Sequence, residues 1–157
     1  MSAPGPGDPA PTFALPAAPG EVHDLDDYLG GRKVVLLFYP LAFSGVCTTE
    51  LCTIRDSWPT FEEEDAAVFG ISIDSLFVTR AFREAERLPF PLLSDFNKDV
   101  AEAYGVLETN AFGMVGVAKR SVFVIGTDAK VAYAWVADDD SVEPDYDEVR
   151  AALAAAL

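Results

Sequence analysis

The chain has 157 residues, half of them hydrophobic, which is enough to bury one core of ordinary domain size. Its net charge of −15, from 26 acidic and 11 basic residues, argues against nucleic acid or anionic membranes as partners, because both are bound through Lys and Arg. The longest apolar run, residues 34–39, is too short to cross a bilayer, and no signal-peptide pattern is visible. We therefore expect a single domain spanning residues 1–157 of a cytoplasmic protein.

The first part of the chain divides into an arm and a strand. Residues 1–20 are rich in proline and glycine, which disfavour helices and central strands, so we predict an extended arm there. Residues 34–39 form a continuous apolar run rich in β-branched and aromatic side chains. This pattern predicts a strand that is buried on both faces of a parallel or mixed sheet.

Helices and strands then alternate to the end of the chain. Residues 48–64 have apolar side chains near helical spacing, and Pro59 should kink or end this helix. We next predict a strand at residues 67–73, a surface helix at 76–87, a short strand at 90–93 and a short helix at 97–104 that is capped by Gly105. A loop at 108–116, two hairpin strands at 121–125 and 131–136, and a final helix at 145–157 complete the prediction. The order predicts an α/β, thioredoxin-like fold, with a central mixed β-sheet flanked by helices.

Cys47 lies where the central strand gives way to the first predicted helix. Unpaired N–H groups and the macrodipole at a helix N-terminus favour an anion, and therefore a thiolate. Ser44 has a hydroxyl that can donate and accept, which suits the two different oxygens of a peroxide ROOH. Pro40 lacks an N–H and presents an apolar ring that would shield a thiolate from water. Taken singly, these residues are more typical of turns, strand ends and buried core positions.

Together, these residues resemble a known signature. The segment Pro40-Leu-Ala-Phe-Ser44-Gly-Val-Cys47 is similar to the Pro-x-x-x-Thr/Ser-x-x-Cys motif of peroxiredoxins. Residues 7–13 and 70–75 resemble other stretches of that family. The bacterioferritin-comigratory, or peroxiredoxin Q, branch is resembled by residues 88–95, 104–106 and 120–125, and the flank of the motif also resembles the alkyl hydroperoxide reductase E branch.

The resemblance implies a thiol peroxidase with Cys47 as its nucleophile. It also implies that Arg120 is the active-site arginine, which keeps the thiolate ionised and polarises the peroxide; a guanidinium suits this role because it stays charged and has several donors. Glu50 coincides with a family position that hydrogen-bonds locally, so we expect it to support the site. The implied partners are a hydroperoxide substrate and a thioredoxin-like or other dithiol reductant. No cofactor is implied, and both monomer and homodimer remain open.

By the same resemblance, Cys52 would resolve the sulfenic acid on Cys47 by forming a disulfide. On an intact helix, five residues place the two Cα atoms about 8.6 Å apart, beyond the roughly 7 Å limit for a disulfide. We therefore expect the first helical turns to unwind after oxidation, which β-branched Thr48 and Thr49 would ease. The alternative is a one-cysteine enzyme in which Cys52 is a helix residue and an external thiol resolves Cys47.

Other functional classes fit the sequence less well. Thiol–disulfide oxidoreductases usually carry Cys-x-x-Cys, a shorter spacing than that between Cys47 and Cys52. A non-enzymatic thioredoxin-fold module would keep the core pattern without the combination of proline, serine, cysteine and arginine. A metal site needs about four ligands, which two cysteines and His23 do not supply, so we expect no metal.

Overall fold

The computed structural model describes residues 2–139 and 141–157. Within these ranges the strands are β1 (Ala14–Ala18), β2 (Glu21–Asp24), β3 (Val34–Phe38), β4 (Ala67–Ser72), β5 (Leu92–Ser94), β6 (Leu107–Glu108), β7 (Val117–Ala118), β8 (Ser121–Ile125) and β9 (Val131–Val136). The α-helices are α1 (Gly45–Asp56), α2 (Trp58–Glu63), α3 (Leu76–Glu86), α4 (Asp99–Ala103) and α5 (Tyr146–Ala155). No helix in the described ranges combines the length and the apolar composition that a membrane span requires.

The main sheet has five strands in the order β5-β4-β3-β8-β9. Strands β3, β4 and β5 are parallel, whereas β8 runs antiparallel to β3 and β9 runs antiparallel to β8. Buried side chains of α1, α2, α3 and α5 pack on one face of this sheet, and those of α4 pack on the other. The predicted mixed sheet with flanking helices is therefore confirmed.

Strand β3 lies at the centre of both cores. Val34, Leu36 and Phe38 point into one hydrophobic cluster, whereas Val35 and Leu37 point into the cluster on the opposite face. All five side chains are fully buried. The continuous apolar run therefore has the predicted physical cause, because both faces of the strand are covered.

The helix predicted over residues 48–64 is two helices, and it starts earlier than predicted. Helix α1 begins at Gly45, with Ser44 as its N-cap, so that Cys47 lies in its first turn. Helix α1 ends at Asp56, and Pro59 lies in the first turn of α2. Proline is tolerated there because N–H groups in the first turn have no acceptor within the helix, so the absence of one N–H breaks no hydrogen bond.

The predicted arm over residues 1–20 extends too far. Strand β1 pairs antiparallel with β2 across a tight turn, where Gly20 has a φ of +80°. The preceding segment is also attached to the body of the protein, since the Gly7 N–H donates to the Val131 carbonyl at 2.8 Å. Within the predicted arm, the described residues 2–13 precede this hairpin and lie outside the named strands and helices.

The predicted loop over residues 108–116 is bounded by a small ladder. Strands β6 and β7 pair antiparallel, with Leu107 opposite Ala118. Each strand has only two residues, too few to show an alternating pattern. Residues 109–116 form the connection between them, and this connection contains exposed Phe112.

Gly70 in β4 generates a stability prediction. A Cβ at this position would lie 2.5 Å from Leu92 Cδ2 and 3.3 Å from Tyr39 Cε1, and both neighbours are buried in the core. We expect Gly70→Ala to lower the free energy of unfolding by about 1–3 kcal/mol through overpacking, as measured by urea denaturation. Gly31→Ala is the control, because its Cβ would meet no atom within 4 Å. Equal stability of the two variants would contradict this prediction.

Candidate active site

Cys47 is fully buried in the first turn of α1. The preceding strand, β3, ends at Phe38, and a short loop carries the chain from this strand to Ser44. N–H groups in the first turn of a helix have no partner within the helix. The fold therefore presents the sulfur to the positive end of a twelve-residue helix.

Arg120 lies immediately before β8, the neighbour of β3 in the sheet, and it is almost fully buried. Its Nη2 donates to Cys47 Sγ at 3.2 Å, and its Nη1 donates to Glu50 Oε1 at 2.8 Å. Burial disfavours the charged guanidinium, but Glu50 and Cys47 together raise the pKa of Arg120. The structure thus brings together Arg120 and Cys47, which are 73 residues apart in the sequence.

Glu50 is linked to Cys47 through Arg120, a more direct role than the sequence indicated. It lies on α1, about one turn after Cys47, and is fully buried. Oε1 accepts from Arg120, whereas buried Oε2 has no hydrogen-bond partner among the described residues. Burial raises the pKa of Glu50 to about 7, although Arg120 opposes that rise. Burial therefore favours the protonated carboxyl group, whereas the Arg120 guanidinium favours the carboxylate.

A cavity of about 590 Å³ opens beside the start of α1. Pro40, Ser44 and Arg120 line it, and Phe112 contributes an aromatic wall. Ser44 Oγ donates to the Leu41 carbonyl at 3.0 Å, which leaves the oxygen able to accept a hydrogen bond from a ligand. The predicted site residues other than Cys52 are therefore at this cavity or, in the case of Cys47, one hydrogen bond away.

Asp74, just after β4, holds the loop that precedes α1, and sequence analysis did not assign it a role. Its Oδ2 accepts from the Ala42 N–H and from Ser72 Oγ, both at 2.8 Å. Ser94 Oγ in turn donates to the Asp74 carbonyl at 2.6 Å. The sequence signal for such a role is an acidic residue two positions after a buried parallel strand. The carboxyl ends of parallel strands meet at one edge of the sheet, where such a residue can reach the neighbouring loop.

Cys52 lies on a different side of α1. Its side chain is partly buried, and its Sγ donates to Glu86 Oε2 of α3 at 3.3 Å. Burial and the Glu86 carboxylate raise the pKa of this thiol. Both cysteines are free thiols, and α1 is continuous from Gly45 to Asp56. The structure therefore does not bring Cys47 and Cys52 together.

Comparison with known proteins identifies the family. A family model described as AhpC/TSA family matches residues 6–134. The chain belongs to this family and is a peroxiredoxin. The bcp peroxiredoxin of Coxiella burnetii is 40% identical over 132 residues, which cover 82% of this chain and 86% of that protein. Alkyl hydroperoxide reductase E of Mycobacterium bovis is 36% identical over 130 residues, which cover 82% of each protein.

A solved structure agrees with this assignment. Peroxidoxin BcpB from Mycobacterium tuberculosis matches with a TM-score of 0.85 and 36% identity, over 97% of both chains. The thioredoxin-like fold predicted from the order of elements is thereby confirmed. The resemblance to both peroxiredoxin branches is confirmed as well, and the enzyme is an oxidoreductase that acts on peroxides.

Burial of Glu50 predicts how the stability of this peroxiredoxin depends on pH. The pKa of Glu50 in the folded protein, about 7, lies above its ordinary value, so the folded state binds this proton more tightly than the unfolded state. Its contribution to stability is therefore complete at low pH and is lost as the pH rises through about 7. Relative to Glu50→Gln, we expect the unfolding free energy of the wild type to fall by about 2 kcal/mol between roughly pH 5 and pH 8.

Urea denaturation at each pH measures this difference. Glu63→Gln, which removes an exposed carboxylate from α2, is the control and should follow the wild type. A difference between wild type and Glu50→Gln that is constant with pH would contradict the prediction.

Proposed function

We propose that Cys47 is the nucleophile with which this thiol peroxidase reduces hydrogen peroxide and organic hydroperoxides. The observation that carries the proposal is the buried hydrogen-bond chain in which Arg120 joins Glu50 to the sulfur of Cys47. A fixed guanidinium favours the thiolate, which is the nucleophilic form of cysteine. The position of Cys47 in the first turn of α1 also favours the thiolate, because the positive end of the helix stabilises an anion.

In the proposed first step, the Cys47 thiolate attacks one oxygen of ROOH. The S–O bond forms as the O–O bond breaks, so that sulfur is oxidised by two electrons and the peroxide is reduced. The departing oxygen takes up a proton and leaves as ROH, while Cys47 becomes a sulfenic acid. Negative charge moves from sulfur towards the departing oxygen, and preorganised donors on Arg120 stabilise it along that path.

The remaining cavity residues position the peroxide. Ser44 Oγ accepts from the O–H of the substrate, because its own proton is donated to Leu41. Pro40 and Phe112 supply apolar surface, which excludes water from the sulfur. A volume of about 590 Å³ accommodates organic hydroperoxides as well as hydrogen peroxide, and the name of the alkyl hydroperoxide reductase E relative supports this substrate class.

We propose that Cys52 resolves the sulfenic acid. Its thiol attacks Cys47, an S–S bond forms, and water leaves with the oxygen of the sulfenic acid and the thiol proton. A thioredoxin-like or other dithiol protein then reduces the disulfide. Because the two cysteines lie on one continuous helix, α1 must open locally for this step.

A one-cysteine cycle is the second candidate. The intact α1 and the contact of Cys52 with α3 favour it, since both keep Cys52 away from Cys47. In that cycle an external thiol attacks the sulfenic acid, and Cys52 takes no part in turnover.

The structure also supports proposals about domain organisation and cellular compartment. The five strands of the main sheet come from residues 34–136, and α5, near the end of the chain, packs on this sheet. Strands and a helix from most of the chain therefore share one core, which supports a single domain. Two free thiols suit a reducing compartment such as the cytoplasm. Monomer and homodimer are both compatible with this cycle.

Mass spectrometry after one equivalent of hydrogen peroxide tests the roles of both cysteines. We expect the wild type to form an intramolecular Cys47–Cys52 disulfide, Cys52→Ser to gain one oxygen on Cys47, and Cys47→Ser to remain reduced. Peroxide consumption with a dithiol reductant should be lost in Cys47→Ser. Full activity of Cys47→Ser would refute the nucleophile, whereas wild-type sulfenic acid or mixed disulfide without the internal link would establish the one-cysteine cycle.

A further inference from the structure

The end of α3 makes two contacts with the second half of α1. Cys52 Sγ donates to Glu86 Oε2 at 3.3 Å. Arg55, one helical turn further along α1, donates from Nη1 to the Glu86 carbonyl at 2.6 Å. One residue of α3 therefore receives both contacts, the first through its side chain and the second through its backbone.

Glu86 is held in place independently of Cys52. It is the last residue of α3, and the following residue, Arg87, adopts a left-handed conformation with a φ of +52°. The Leu88 N–H bonds back to the Arg83 carbonyl at 3.1 Å, and Arg83 Nε donates to the Leu88 carbonyl. These contacts fix the C-terminal end of α3. The Glu86 side chain extends from this end towards Cys52 on α1.

Among the described residues, two carboxylates and one guanidinium act on the charge state of Cys52. Asp56 and Arg55 come from α1, and Glu86 comes from α3. Burial, the Glu86 hydrogen bond and the two negative charges raise the pKa of Cys52, whereas Arg55 lowers it. With α1 folded, this environment favours the protonated thiol, which is a poor nucleophile.

We propose that Glu86 is a positioning residue that docks Cys52 on α3 as an unreactive thiol while α1 is folded, and releases it when α1 opens. This inference rests on the proposed role of Cys52 in resolution. It explains how two thiols on one helix are kept distinct: Cys47 contacts a guanidinium, whereas Cys52 contacts a carboxylate. Only Cys47 is then primed to meet peroxide.

Release fits the chemistry of the resolving step. Once Cys47 carries a sulfenic acid, opening of α1 separates Cys52 from Glu86 and removes the nearby negative charge. The Cys52 sulfur then attacks Cys47 Sγ, the S–O bond breaks, and hydroxide leaves as water with the Cys52 proton. Cys52 is oxidised, the sulfenic sulfur is reduced to the disulfide level, and no outside oxidant is needed.

Alkylation of Cys52 by iodoacetamide tests the docked thiol without peroxide. In a Cys47→Ser background, Glu86→Gln should accelerate alkylation at neutral pH roughly three- to ten-fold and shift the pH profile of the rate to lower pH. The control is Glu84→Gln, which removes the same charge from an exposed position on α3, where Glu84 pairs with Arg80. Identical pH profiles for the two variants would overturn the inference.

A second readout places the contact in the resolving step. With both cysteines present, we expect Glu86→Gln to form the Cys47–Cys52 disulfide several-fold faster than Glu84→Gln after one equivalent of peroxide. The reason is that the substitution weakens the contact between Cys52 and residue 86 that holds α1 against α3. Equal rates would overturn the link between docking and resolution. Absence of the disulfide in every variant would refute the resolving role of Cys52 itself, and the alkylation profile would still decide whether Glu86 docks the thiol.

Discussion

The site depends on one buried guanidinium. Taking the charge of Arg120 out of water is costly unless partners compensate for it, and the structure supplies Glu50 on one side and Cys47 on the other. Both partners come from α1, whereas Arg120 lies immediately before β8. The pairing of β8 with β3, the strand whose exit loop leads to α1, therefore brings the charge to the sulfur.

The proposed cycle places two opposed requirements on helix α1. It must be intact to hold Cys47 at its positive end, and it must open if Cys52 is to reach the sulfenic acid. Thr48 and Thr49 donate their hydroxyls to the carbonyls of Ser44 and Gly45, contacts that tend to bend helices and weaken them slightly. A helix whose first turns are held by the contact of Arg120 with Cys47, but are weakened by these threonine contacts, meets both requirements.

The sequence predicted the parts of the fold that depend on local pattern. The apolar run of β3 and the cysteine motif both stand out, and the family resemblance added Arg120. The β1–β2 hairpin was missed because its proline content outweighed the Pro19-Gly20 pair, which is typical of a type II turn. Asp74 and Glu86 act through partners about 30 residues away, and contacts at such separations leave no periodic signal.

The most direct test of the role of Arg120 is the rate at which Cys47 reacts with hydrogen peroxide. Rapid-mixing kinetics would compare Cys52→Ser protein with and without Arg120→Lys, a change that keeps a positive charge but loses the planar fork that joins Glu50 to the sulfur. Our prediction is that Cys52→Ser protein reacts far faster than free cysteine and that adding Arg120→Lys slows the reaction by about 100-fold or more, with the fold intact by circular dichroism. Equal rate constants for the two proteins would contradict it.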